Sequence, residues 1–78
     1  MNGEKFLEDF INQFDEIPEG VNMDTQFKDI EGWDSLTSLM IISMVDDVYS
    51  IKISGKDIEN SITIKDIYDI LLLKYKNV

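Results

Sequence analysis

Apolar residues recur at three- and four-residue spacing in three stretches of this chain, and each stretch predicts a helix. Phe6, Leu7, Phe10, Ile11 and Phe14 make the first stripe, with Glu4, Glu8, Asp9, Gln13 and Asp15 filling the gaps. This pattern predicts an amphipathic helix over roughly residues 3–16, broken by Pro18 and Gly20. The connection over residues 17–33 is long for a compact domain, and such loops are often functional. Phe27 and Ile30 lie three apart within it and are expected to anchor it to the core through a short turn ended by Gly32.

The second helix is predicted from about Ser35 to Ser50, with Asp34 as its N-cap. At about 100° per residue, Ile41, Ile42, Val45, Val48 and Tyr49 share one face, the expected core face. Leu36, Leu39, Met40 and Met44 point largely the other way, where a simple surface helix carries polar residues. Either the helix is buried on both sides, or the second face is an exposed apolar patch for a partner or ligand. The small size of the chain favours the patch, and methionine suits a surface that adapts to several shapes.

Ile51 and Ile53 lead to a turn at Gly55, and residues 56–60 form a candidate short helix with Ile58 inward. The last helix has the clearest start: Thr63 with Asp66 reads as a capping box and Ile62 with Ile67 as a hydrophobic staple. Ile64, Ile67, Tyr68, Leu71, Leu72 and Tyr75 supply its apolar stripe, and Lys74 and Lys76 complement the dipole of its last turn. The expected fold is all-α, a small four-helix bundle of three main helices and one short one, forming one domain over residues 1–78. Only residues 50–54 alternate as a strand does, and they have no partner segment.

Composition changes the picture in two ways. Sixteen carboxylates against seven lysines give a net charge of −9. That sign opposes nucleic acid and anionic membrane surfaces, and favours basic protein patches. The chain also has no histidine and no cysteine, so a serine nucleophile has no ordinary base beside it. Among sixteen carboxylates some pair will be close by chance, and no phosphate-cradling glycine loop is present. Asp24, Asp29, Glu31 and Asp34 cluster in sequence, but neither Asp24 nor Asp29 has the glycine an EF-hand needs at its sixth position. Intrinsic catalysis is therefore not expected. No targeting segment or membrane-length apolar run is visible, so a cytoplasmic monomer without membrane insertion is the expectation.

The segment Gly32-Trp33-Asp34-Ser35-Leu36 places a serine where an irregular segment meets a strongly apolar helix. Alone, Asp-Ser-Leu is a weak signal, since serines near helix starts usually serve as caps. In this short, acidic, helical chain, however, the stretch from Phe27 to Leu36 resembles the phosphopantetheine-attachment motif of the acyl carrier protein family. The distance from Ser35 to Tyr49 and the Thr63-Ile64 start of the last helix are also similar to that family.

The resemblance implies that Ser35 carries a 4′-phosphopantetheine arm, delivered from coenzyme A by a separate phosphopantetheinyl transferase. The arm's thiol would hold an acyl group, which suits a chain with no cysteine of its own. It further implies partner roles for Asp34, Leu36, Leu39, Met40 and Met44, with Asp46 and Asp47 as an acidic rim. The partners implied are acyl-loading and acyltransferase or synthase enzymes with basic surfaces. Ile42, Val45 and Ile58 are candidates either for lining an acyl-chain shelter or for ordinary core. Met40 stands where the fatty-acid type usually has an acidic residue, and Trp33 where it has a small one. Both departures favour a specialised stand-alone carrier, serving a dedicated acyltransferase, a polyketide route or surface-polysaccharide modification, at least as much as general fatty-acid synthesis. Trp33 is either a partner anchor or a loop-packing residue. Two alternatives stay open: an aminoacyl, D-alanyl or peptidyl carrier, and a non-carrier interaction module in which Ser35 is only a cap.

Overall fold

The computed structural model describes residues 1–76. It contains four α-helices: α1 (Gly3–Ile11), α2 (Ser35–Tyr49), α3 (Gly55–Glu59) and α4 (Ile64–Lys76), with a 3-10 turn at Phe27–Asp29. No strand occurs among the described residues, and the architecture is the small all-α bundle expected. The short α3 packs against both α2 and α4, and α1 packs against α4.

Helix α1 starts on Asn2, whose side chain accepts from the backbone N–H groups of Glu4 and Lys5. It is shorter than the predicted 3–16, because the chain leaves the helix after Ile11 and turns. Phe14 nevertheless reaches the core from beyond that turn. The core combines Phe6, Phe10 and Phe14 with Phe27, Ile41, Val45, Ile64, Ile67 and Leu71.

The long connection is ordered by backbone bonds to the start of α4. Ile64 N–H donates to the Thr25 carbonyl at 3.2 Å and Lys65 N–H to the Met23 carbonyl at 2.8 Å. Gln26 and Thr63 add an isolated antiparallel bridge. The capping box at α4 forms as expected: Asp66 accepts from Ile62 and Thr63 N–H, and Thr63 Oγ1 accepts from Asp66 N–H. Ile67 is buried as the staple requires, whereas Ile62 is 61% exposed and covers little. A second capping box, Ser54 with Asp57, opens α3 one residue earlier than predicted.

Two positions on α2 differ from the helical projection. Met44, expected on the partner face, is buried in the core, and Val48, expected in the core, is 51% exposed. Met44 lies about 40° around the helix from Met40 and about 60° from Ile41 at 100° per residue. It sits on the border between the two arcs, and its flexible thioether fills the core side. Val48 belongs to the last turn of α2, just before the helix stops at Ser50 in a left-handed conformation with φ 57°. Ile51 and Ile53 beyond that stop take the buried positions instead.

Tyr49 ties this end of α2 to α1. Its hydroxyl donates to Asp9 at 2.7 Å, and Lys5 Nζ donates to the same carboxylate. Partial burial works to raise the Asp9 pKa, but the bonds from Lys5 and Tyr49 outweigh it and hold the carboxyl below its usual range. Burial and the adjacent carboxylate push the Tyr49 phenol well above its ordinary value. A carboxylate with a depressed folded pKa adds stability above its unfolded pKa and loses it as pH falls through the folded value. Tyr49→Phe is therefore expected to cost about 1–2 kcal/mol at neutral pH. The difference from wild type should shrink below about pH 4. Urea denaturation across that range measures both.

Candidate functional site

The turn that delivers Ser35 is built by four consecutive residues. Trp33 N–H donates to the Ile30 carbonyl at 3.0 Å, and Gly32 between them has φ +93°, a conformation that favours glycine. An added Cβ would meet nothing closer than Phe14 at 3.8 Å, so the need for glycine is conformational rather than steric.

Asp34 then caps α2. Its Oδ1 accepts from Thr37 N–H at 2.8 Å and from Thr37 Oγ1 at 3.0 Å. Thr37 Oγ1 also lies 3.2 Å from the Gly32 carbonyl, its other donor option. The Thr37 N–H and hydroxyl, with a further contribution from Leu36 N–H, hold the Asp34 carboxyl below the usual carboxylate range. Asp34 thus stays ionised at neutral pH at the positive end of the helix dipole. Thr37 is buried and joins the turn to the helix, a role not assigned to it from sequence. The signal was present: a hydroxyl three residues after an N-cap aspartate reaches that carboxylate.

Ser35 is the first residue of α2 and is exposed. The side-chain hydrogen bonds at this turn are made by Asp34 and Thr37, which leaves the Ser35 hydroxyl to solvent. Rigid structure behind an exposed nucleophile suits modification by another protein.

Ser35 opens onto a groove of about 570 Å³ between the turn, α2 and α3. Trp33, Ser38, Leu39, Ile42 and Ile58 contribute to its lining. Of the three candidate acyl-lining residues, partly buried Ile42 lines this groove, while Ile58 borders it from the core and is only 2% exposed. Val45, the third, is fully buried and is core. A second depression of about 340 Å³ lies on the other side of Asp34, with Asp15, Glu31, Leu36 and Met40 among its walls. A further concavity of about 860 Å³ follows residues 16–31 and does not include Ser35.

Trp33 resolves toward loop packing. Its ring meets Phe27 edge-on with centroids 4.8 Å apart, and stacks with Phe10 at 6.2 Å and an interplanar angle of 5°. Phe14 lies at 6.1 Å. Part of the indole still contributes to the groove wall beside Ser35. Around the serine, Leu36 and Leu39 are 64% and 61% exposed and Met40 is 37% exposed. Asp46 and Asp47 are exposed further along α2. The structure thus keeps Leu36, Leu39 and Met40 together on one accessible face and removes Met44 from it.

Neither a protein-family model nor a curated protein sequence matches the chain. Among the described residues, no helix is long and apolar enough to cross a membrane.

Proposed function

We propose that this chain is an acyl carrier protein, with Ser35 as the attachment point of a 4′-phosphopantetheine arm. One observation carries the reading. An exposed hydroxyl at the first residue of α2, on a turn held by the Asp34–Thr37 bonds, stands at the mouth of an open groove. The residues present fit such a group: the hydroxyl is accessible, and the groove offers apolar wall from Leu39 and Ile42 beside it. When bound, the arm supplies a terminal thiol able to carry an acyl group as a thioester.

The protein's own contribution is positioning and recognition. Asp34 and Thr37 orient the Ser35 turn. Leu36, Leu39 and Met40 offer apolar contact to a docking enzyme, and Asp46 and Asp47 form the acidic edge. A separate transferase brings the base that Ser35 lacks. Asp34 favours an acyl over a peptidyl carrier, while a D-alanyl cargo uses the same residues.

Incubation with coenzyme A, magnesium and a broad-specificity phosphopantetheinyl transferase tests the reading. The expected result is a mass gain of one arm, placed on Ser35 by fragmentation. No gain with several active transferases would make the exposed face of α2 an interaction surface only. Asp46→Lys with Asp47→Lys is expected to slow acyl transfer to a basic partner enzyme several-fold at low salt, with little effect at high salt. The melting temperature should stay near wild type, because both side chains are exposed. Unchanged transfer at low salt would remove the acidic edge from the partner surface.

A further inference from the structure

Lys28 bridges the long connection and the end of α3. It follows Phe27 at the start of the 3-10 turn, and its ammonium reaches across to the carbonyl of Glu59 at 2.6 Å. Glu59 is the last residue of α3, so this one side chain joins the connection to the far side of the Ser35 groove. The ammonium also lies 5.7 Å from the centre of the Phe27 ring, which is fully buried. Its location is thus set by two contacts, although the side chain is exposed.

Among the described residues that line this groove, Lys28 is the one cation, and Asp34 and Glu59 are the acidic members. In a chain with seven lysines and a net charge of −9, an ammonium tethered on the wall of the groove that Ser35 also lines is an unusual local charge. A lysine ammonium has three donors, and Glu59 takes one of them. A phosphodiester on Ser35 would add negative charge next to the ionised Asp34. Lysine binds such an anion as a point charge, and a prepositioned one does so with less ordering cost.

We propose that Lys28 is the phosphate-receiving residue of the Ser35 site, pairing with the phosphodiester of the arm. The inference rests on the carrier reading. It makes Lys28 a positioning residue that holds the root of the arm in the groove between the turn and α3.

The test compares isotope-labelled protein before and after loading, with intact mass showing complete loading. The Lys28 Cε–Nζ resonances are expected to shift more than those of the other lysines, and the shift should fade in about 1 M salt. The ³¹P resonance of the loaded protein should move in Lys28→Gln and return toward wild type in Lys28→Arg. Complete loading with the Lys28 resonances unmoved overturns the inference and leaves the carrier reading standing. So does a Lys28→Gln variant with a wild-type ³¹P position, even if it melts lower in both forms, because Lys28 is then only a mooring between the turn and α3. If Lys28→Gln does not fold, the wild-type lysine comparison decides alone. Absence of any mass gain removes both readings together.

Discussion

Phe10→Ala is expected to leave this protein largely unfolded or loosely packed at physiological temperature. Phe10 is fully buried, and its ring neighbours Phe6, Phe14, Phe27 and Trp33 at centroid distances of 6.0, 6.1, 6.0 and 6.2 Å. Those rings come from α1, from the turn after it, and from the connection that leads to Ser35. Truncating a buried phenylalanine to alanine costs about 3–5 kcal/mol, through lost transfer energy and the cavity left behind. Small domains have total stabilities near the lower end of about 5–15 kcal/mol, so the loss consumes most of the margin. Phe10→Leu keeps much of the volume and should cost clearly less. Trp33 is the chain's single tryptophan, so its emission reports on the cluster directly. Urea denaturation followed by both helical circular dichroism and this emission is expected to give one shared, strongly lowered midpoint for Phe10→Ala. A loss under about 1 kcal/mol would mean that the cluster can close over the gap.

The same cluster explains which parts of the architecture were legible in the sequence. Phe6, Phe10 and Phe14 declared a helix and an apolar stripe, but not that the helix stops at Ile11 with Phe14 still inward. Helical spacing cannot separate a residue on the helix from one that folds back to the same core just after it. Asp34, Thr63 and Asp66 could be read because capping is local chemistry between residues three apart. The Ser54–Asp57 box is equally local, but no long apolar run follows it to draw attention to α3.

Residues whose role depends on distant segments were less legible. Trp33 has aromatic neighbours from α1 and the connection, and sequence spacing alone left it undecided between core and partner. Tyr49 finds Asp9 forty positions away. Lys28 finds Glu59 across 31 positions, and nothing near either residue in sequence signals the bond. On α2, opposition to the face of Ile41 and Val45 placed Leu36, Leu39 and Met40 on the exposed arc, while Met44 sat at its edge and was settled by packing. The serine turn was legible because its elements are consecutive: a glycine for the turn, a capping aspartate, an exposed serine, then apolar helix.

Ser35→Ala is expected to abolish loading completely while leaving the fold untouched, a separation no other substitution at this turn should give. The alanine deletes only an exposed hydroxyl, and the bonds that hold the turn belong to Asp34 and Thr37. Alanine is also at least as good a helix former as serine. The unfolding midpoint should therefore stay within about 0.5 kcal/mol of wild type, as for surface changes that break no bond. Asp34→Ala provides the contrast. It removes the acceptor shared by Thr37 N–H and Thr37 Oγ1, and with it the carboxylate whose depressed pKa stabilises the native state above its unfolded value. That variant should lose stability at neutral pH, lose less relative to wild type as pH falls into the acid range, and load more slowly rather than not at all. Equal loading of Ser35→Ala and wild type would move the attachment point to another hydroxyl. Unfolding of Ser35→Ala would make the serine a structural cap, returning α2 to the role of an interaction helix without an arm.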